Sequence, residues 1–175
     1  MDRRVLEFLC MNFDRYEDSR QLWLAAGGRS GMLLETNNAR TRWTDALQKI
    51  AAGALNYQKF LTEALSSFPG NHVLLQALND TITPEQRQAL ERLRQTILAD
   101  GPDGPELVFQ EIQQLPSPTS QAAVVTTAAH LAEAENPQAS TSFWSKVKDT
   151  VATDGVRTFI DAAVNAGVRA LTGQA

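Results

Sequence analysis

Few side chains in this chain of 175 residues have the type and spacing that catalysis or metal binding requires. His72 and His130 lie far apart, and neither has a second His or a Cys at a spacing that would complete a metal site. Cys10 is the single cysteine and falls on the apolar face of a predicted helix, where a free cysteine is usually a small packed hydrophobic side chain. We therefore predict no catalytic residue, no metal ligand and no cofactor, and we expect that the protein is not an enzyme.

The glycines that follow the second predicted helix do not indicate a phosphate-binding loop. Gly27, Gly28 and Gly31 come after a helix rather than a strand, and no Gly-Lys-Ser or Gly-Lys-Thr sequence occurs. We interpret Gly27 and Gly28 as a turn that ends this helix in a left-handed conformation.

Composition and charge restrict the class of protein. The 16 Lys and Arg residues against 20 Asp and Glu residues give a net charge of -4, so no nucleic-acid partner is predicted. The hydrophobic fraction of 43% is typical of a globular protein, and no run of about 18 uncharged apolar residues predicts a membrane span. One cysteine allows no internal disulfide, which favours a reducing, cytoplasmic location.

Apolar residues at three- and four-residue spacing predict an all-α fold. A first domain over residues 1–79 is predicted to hold five or six short helices, at about 3–13, 19–26, 39–50, 57–68 and 73–78. Trp43 lies at the centre of the apolar stripe of the 39–50 helix and is predicted to be a core residue. Residues 32–34 could form a brief extended segment.

The remainder of the chain is predicted to contain a helical connector over 80–135 and a C-terminal amphipathic segment over 136–175. Prolines and glycines predict a break within the connector and a linker after it, and a capping box at Thr83 and Gln86 starts its first helix. In chain order, the prediction is a helix at 84–99, a break at 100–105, helices at about 107–115 and 119–135, a linker at 136–140 and a long helix to about 172.

Charged residues of both signs lie between the first two predicted helices and at the start of the helix that carries Trp43. This candidate interaction surface consists of Asp14, Arg15, Glu17, Asp18, Arg20, Arg40 and Arg42. Such a surface can pair with a copy of itself, because the acidic patch of one molecule meets the basic patch of the next. The alternative is that these are solvated charges without a partner.

The C-terminal segment has a continuous apolar face that is a candidate for association. Its members are Phe143, Trp144, Val147, Val151, Val156, Phe159, Ile160, Val164, Val168 and Leu171. This face either packs on protein, within the chain or in a second copy, or inserts into a membrane. The charged side of the helix carries a net charge of only +1, which gives little attraction to anionic lipids and favours packing.

Three motifs in the first 80 residues carry a family resemblance. They are Ala25-Ala26-Gly27, Ala39-x-x-x-Trp43-x-x-x-Leu47-x-x-Ile50 and Phe60-Leu61-x-x-Ala64-Leu65-x-x-Phe68-Pro69-x-Asn71. With these motifs, the region resembles bacterial effector-associated domains of the first described type. Gly28 departs from the pattern, since the family more often has an apolar residue after the glycine of the turn. The resemblance implies a death-fold-like helical bundle, and we identify no family for residues 80–175.

The resemblance also implies a role. Domains of this family are fused to effectors of bacterial conflict systems, such as proteases and nucleases, and are thought to join adaptor to effector by homotypic association. The implied partner is a protein with a matching domain, or a second copy of this chain. We therefore expect a non-enzymatic adaptor or small effector of a bacterial defence system. The alternative is a membrane-active effector whose C-terminal helix inserts into or disrupts membranes.

Overall fold

The protein is helical throughout the part of the chain that the structure describes. A computed structural model describes residues 2–68 and 70–154, and these residues contain nine α-helices, one short 3-10 helix and no strand. The helices are α1 (Arg3–Asn12), α2 (Tyr16–Ala25), α3 (Ala39–Ala51), α4 (Tyr57–Ser67), α5 (His72–Asp80), α6 (Pro84–Ala99), α7 (Gly104–Gln113), α8 (Pro118–Glu135) and α9 (Pro137–Asp154), with the 3-10 helix at Ser30–Met32. The all-α prediction is confirmed. Helices α1–α5 form one compact unit and α6–α9 form a second.

The core of the first unit is built around one tryptophan. α1 packs against α3 and α5, α2 packs against α4, and α4 packs against α5. Trp43 of α3 is fully buried, and its ring centre lies 6.1 Å from that of Phe13 and 5.9 Å from that of Phe60. Buried aromatic contacts of this kind stabilise a small domain strongly. The prediction that Trp43 is a core residue is confirmed.

Local sequence decides where the first helices begin and end. The Asp2 carboxylate accepts a hydrogen bond from the Arg4 amide at 2.8 Å and caps α1. α2 begins at Tyr16 rather than at residue 19, because Glu17 and Asp18 suit the first turn of a helix, where the positive end of its dipole lies. Gly27 has a φ of +94°, which confirms the left-handed turn predicted after α2.

The loop after α2 is fixed by a tryptophan that lies against a glycine. The buried Trp23 indole donates a hydrogen bond from Nε1 to the Arg29 carbonyl oxygen at 2.9 Å. A Cβ atom at Gly28 would lie 2.2 Å from that Nε1, so only glycine fits beside the ring. Lys49 of α3 holds the far side of the loop, since its Nζ donates to the Met32 carbonyl oxygen at 2.6 Å.

The second unit is organised around α8. α6, α7 and α9 all pack against this helix, and every residue from 123 to 129 is buried. Leu131 is 42% exposed, although its spacing from Val124 and Ala128 is that of one helix face. The Ala- and Thr-rich helix has small side chains on all sides, which allows neighbouring helices to approach it closely from several directions.

Two predicted helix boundaries in this region require correction. The linker predicted at 136–140 was wrong, because α9 begins directly at Pro137. Asn136 caps the start of α9, since its Oδ1 accepts a hydrogen bond from the Ala139 amide at 3.2 Å. Pro137 follows it at the first helical position, which proline suits. The predicted break at 100–105 is shorter than expected, since α7 begins at Gly104. The capping box at Thr83 and Gln86 is present as predicted.

The described part of the C-terminal segment packs within the second unit. Phe143, Trp144 and Val147 are buried, and α9 contacts α6, α7 and α8. Lys146 ties α9 to the end of α6, where its Nζ lies 2.8 Å from both the carbonyl oxygen and Oδ1 of Asp100. Val151 belongs to the α9 backbone, whereas Val156, Phe159, Ile160, Val164, Val168 and Leu171 lie outside the described residues.

Candidate interaction surface

Six charged side chains lie on the connection between α1 and α2, on the first five residues of α2 and on the first turn of α3. We call Asp14, Arg15, Glu17, Asp18, Arg20 and Arg40 the connector surface. Asp18 is half-buried and the other five are exposed. Three of the six are acidic and three are basic, so the connector surface is neutral overall and offers both signs of charge.

The charges of the connector surface have no ionic partner among the described residues. Other charges of the same unit are paired. Arg3 Nε lies 2.9 Å from Glu7 Oε1, and Lys49 Nζ lies 2.7 Å from Asp45 Oδ2. The connector surface is therefore a place where both signs of charge are exposed and unneutralised within the unit, which is the pattern that steers charged surfaces together.

Arg42 was predicted to belong to this surface, and that prediction was wrong. Its side chain is fully buried. The guanidinium donates from Nε to Ser19 Oγ at 2.9 Å, and from Nη2 to the carbonyl oxygens of Asp14 at 2.6 Å and Phe13 at 3.4 Å. Its Nη1 donates to the Thr36 carbonyl oxygen. The planar fork of arginine can reach several acceptors at once, so Arg42 fastens the connector to α3 from the inside.

Trp43 and Ser19 complete this anchorage. The Phe13 carbonyl oxygen accepts a hydrogen bond from Trp43 Nε1 at 3.0 Å, and it also lies 2.9 Å from Ser19 Oγ. The same Oγ lies 2.9 Å from the Arg15 carbonyl oxygen. Backbone groups at Phe13, Asp14 and Arg15 are thus all held by buried side chains, which gives the connector surface a fixed backbone.

α1 packs against α3, and Cys10 near the end of α1 is affected by the charges at the start of α3. Burial raises the pKa of the Cys10 thiol, and the positive charges of Arg40 and Arg42 oppose this effect. A charge acts on a thiol in this way only over a short distance. Cys10 itself is half-buried, so the expectation that it is simply a core residue holds only in part.

The histidines do not build a second site. His72 is exposed at the start of α5, while His130 is largely buried in α8 and burial lowers its pKa. Within the described residues, no group of three or more His, Cys, Asp or Glu side chains lies together in a way that could hold a metal ion.

A shallow groove lies between α6 and α7 in the second unit. Its volume is about 380 Å³, and its lining includes Gln95, Leu107 and Gln110. An ion pair crosses it, with Arg92 Nη2 2.5 Å from Glu111 Oε1. The groove contains no nucleophile paired with a base, so it does not have the arrangement of a hydrolytic active site.

Comparison with known protein families identifies the first unit. Residues 2–82 match the family model of effector-associated domain 1. The resemblance predicted from the Trp43 helix and its neighbours is therefore confirmed for this part of the chain. The connector surface, Arg42 and Trp43 all lie inside the effector-associated domain. No curated protein matches the chain, and neither does any solved structure.

None of the described helices combines the length and the apolar character needed to cross a membrane.

The burial of Arg42 and its anchoring of the connector were not predicted from the sequence, although its helical spacing places it on the inward face of α3. Arg42 lies three residues after Ala39 and four before Ala46, so it falls on the same inward stripe as Trp43. Charged residues are almost never fully buried unless they are paired, so the residue type alone favours an exposed Arg42. The structure shows that backbone carbonyls and one hydroxyl take the place of an ionic partner.

Proposed function

We propose that this chain is a non-enzymatic adaptor or small effector of a bacterial defence system, and that it acts in the cytosol through its effector-associated domain. The domain binds a second domain of the same type, either in another copy of the chain or in a matching partner protein. The connector surface makes the contact. In the contact, the three acidic groups of each domain face the three basic groups of the other domain.

One observation carries this proposal: the connector surface exposes equal numbers of unpaired acidic and basic groups on a fixed backbone. A surface that exposes both signs in equal number can present acidic groups to the basic groups of a second copy, and basic groups to its acidic ones. A backbone already held by Arg42 and Trp43 loses little further freedom on binding, which lowers the entropic cost of association. Flexible, solvated charges at the tips of free loops would not have this advantage.

The second unit gives the alternative function less support. A membrane-active C-terminal helix requires its apolar face to be available to lipid. The described members of that face, Phe143, Trp144 and Val147, are instead buried among α6, α7 and α8. We therefore propose that the C-terminal helices serve self-association or act on a protein target, and the membrane alternative for the C-terminal amphipathic helix stays a prediction.

A charge-reversal experiment on the full chain tests the proposed contact. In the double variant Arg20→Glu/Arg40→Glu, both reversed residues are exposed, so we expect an unchanged fold and a loss of self-association in sedimentation velocity. The matched control is Arg3→Glu/Arg29→Glu, which alters the net charge equally at exposed positions outside the connector surface. It should associate like the wild type.

Salt supplies a second criterion for the same experiment. Self-association of the wild type should weaken between about 50 and 500 mM salt, because exposed charge pairs are screened. If the Arg20→Glu/Arg40→Glu variant associates as strongly as the wild type, or if both double variants lose association equally, the connector surface is not the contact.

A further inference from the structure

The most exposed large apolar side chain in the described residues lies in the last turn of α1, which leads into the connection that carries Asp14 and Arg15. Met11 is 74% exposed, whereas the next, Leu107 of the second unit, is 52% exposed. Met11 belongs to the last turn of α1, three residues before Asp14. A single exposed apolar residue is ordinary, but its position next to unpaired charges of both signs is a specific feature.

The backbone on either side of Met11 is held by hydrogen bonds at the end of α1. Asn12 Nδ2 donates a hydrogen bond to the Phe8 carbonyl oxygen at 2.9 Å, and the Phe13 amide donates to the Leu9 carbonyl oxygen at 2.9 Å. These bonds close the last turn of the helix. α1 packs against α3, the helix that carries Arg40 in its first turn.

We propose that Met11 is the apolar centre of the homotypic contact and becomes buried against a second copy of this domain. This inference rests on the proposed function of the connector surface. Specific interfaces have an apolar centre surrounded by a polar rim, and methionine is enriched in them. The connector charges form the polar rim. The partner that buries Met11 is a second copy of this domain, because its acidic and basic connector charges can pair with those of the first copy.

The chemistry of methionine suits this position. Its side chain is unbranched and polarisable, so it can adapt its shape to a partner surface. The charged rim fixes the orientation of the two copies and speeds their encounter, while burial of the methionine slows their dissociation. The two contributions therefore differ in their dependence on salt.

Three single variants of the full chain test the inference. Met11→Ala should weaken self-association on the order of tenfold, as expected for truncation of a central contact residue, and should leave the thermal unfolding midpoint unchanged because the side chain is exposed. Met11→Leu should retain most of the affinity. The control Leu34→Ala truncates a 39% exposed apolar residue elsewhere in the domain and should have no effect on association.

The salt dependence separates this inference from the proposed function. Met11→Ala should keep the salt dependence of the wild type, because every connector charge is still present. If Met11→Ala associates like the wild type while Arg20→Glu/Arg40→Glu does not, the role of Met11 is refuted and the proposed function stands. If neither variant affects association, both are refuted.

Discussion

Replacement of Arg42 by methionine gives the most detailed test of how the connector is held. Methionine keeps much of the side-chain volume but donates no hydrogen bond. The carbonyl oxygens of Asp14 and Thr36 each lose a charged donor, and Ser19 Oγ loses the donor from Nε. A hydrogen bond to a charged group contributes about 1.5 to 3 kcal/mol, and a buried acceptor left without a donor costs about as much.

The loss is partly offset, because the unfolded chain no longer gives up the hydration of a guanidinium on folding. We therefore expect Arg42→Met to lower the free energy of unfolding of the effector-associated domain by about 3 kcal/mol. A domain of this size loses roughly 4 to 8 °C in unfolding midpoint for each kcal/mol, so the expected decrease is on the order of 12 to 24 °C.

The assay is thermal unfolding of the full chain by circular dichroism, combined with amide hydrogen exchange. Exchange should accelerate over residues 13–20 and stay unchanged in α6–α9. Arg40→Met is the matched control, since this arginine lies two positions earlier on the same helix and is exposed. If Arg42→Met unfolds within two or three degrees of Arg40→Met, the buried arginine does not hold the connector and our reasoning about its hydrogen bonds is wrong.

Three further predictions concern other parts of the structure. Trp43→Ala should destabilise the domain by roughly 3 to 5 kcal/mol, as for removal of a fully buried aromatic side chain, and a midpoint shift of only a degree or two would contradict its central position. Gly28→Ala should cost about 1 to 3 kcal/mol and alter Trp23 fluorescence, because the added Cβ displaces the indole; wild-type fluorescence and stability in this variant would refute the close contact. Burial lowers the pKa of His130, so the unfolded chain binds this proton more readily than the folded chain. The free energy of unfolding should therefore fall as the pH drops below about 6.5, and His130→Gln should flatten that decline between about pH 6.5 and 5. An identical decline in both proteins would show that His130 is not the group responsible.

Helical spacing predicted most of the fold because it records which face of each helix is buried. The stripe through Trp43 and the capping box at Thr83 were located correctly from residue types alone. The linker predicted at 136–140 failed because Pro137 ends a helix in some contexts and begins one in others. Which of these applies depends on whether the preceding residue, here Asn136, caps the new helix.

The connector surface was predictable only in part. The clustering of opposite charges around Asp14 and Arg20 is visible in the sequence, whereas their lack of partners within the unit is a three-dimensional fact. The burial of Arg42 depends on carbonyl groups that converge from two loops, and no spacing rule reports where a loop carbonyl points. Met11 lies off the helix face that carries Val5 and Leu9, so helical spacing agrees with its exposure but does not report which charges lie near it.

A charge-swap experiment tests the central claim, which is that the connector surface binds a copy of itself, most directly. The variant Asp14→Lys/Glu17→Lys makes the surface basic, and Arg20→Glu/Arg40→Glu makes it acidic. Sedimentation velocity at low salt should find each variant alone unassociated, because like charges then face each other, and should find association restored in an equimolar mixture. If the mixture stays unassociated while both variants remain folded, the connector surface does not form the homotypic contact.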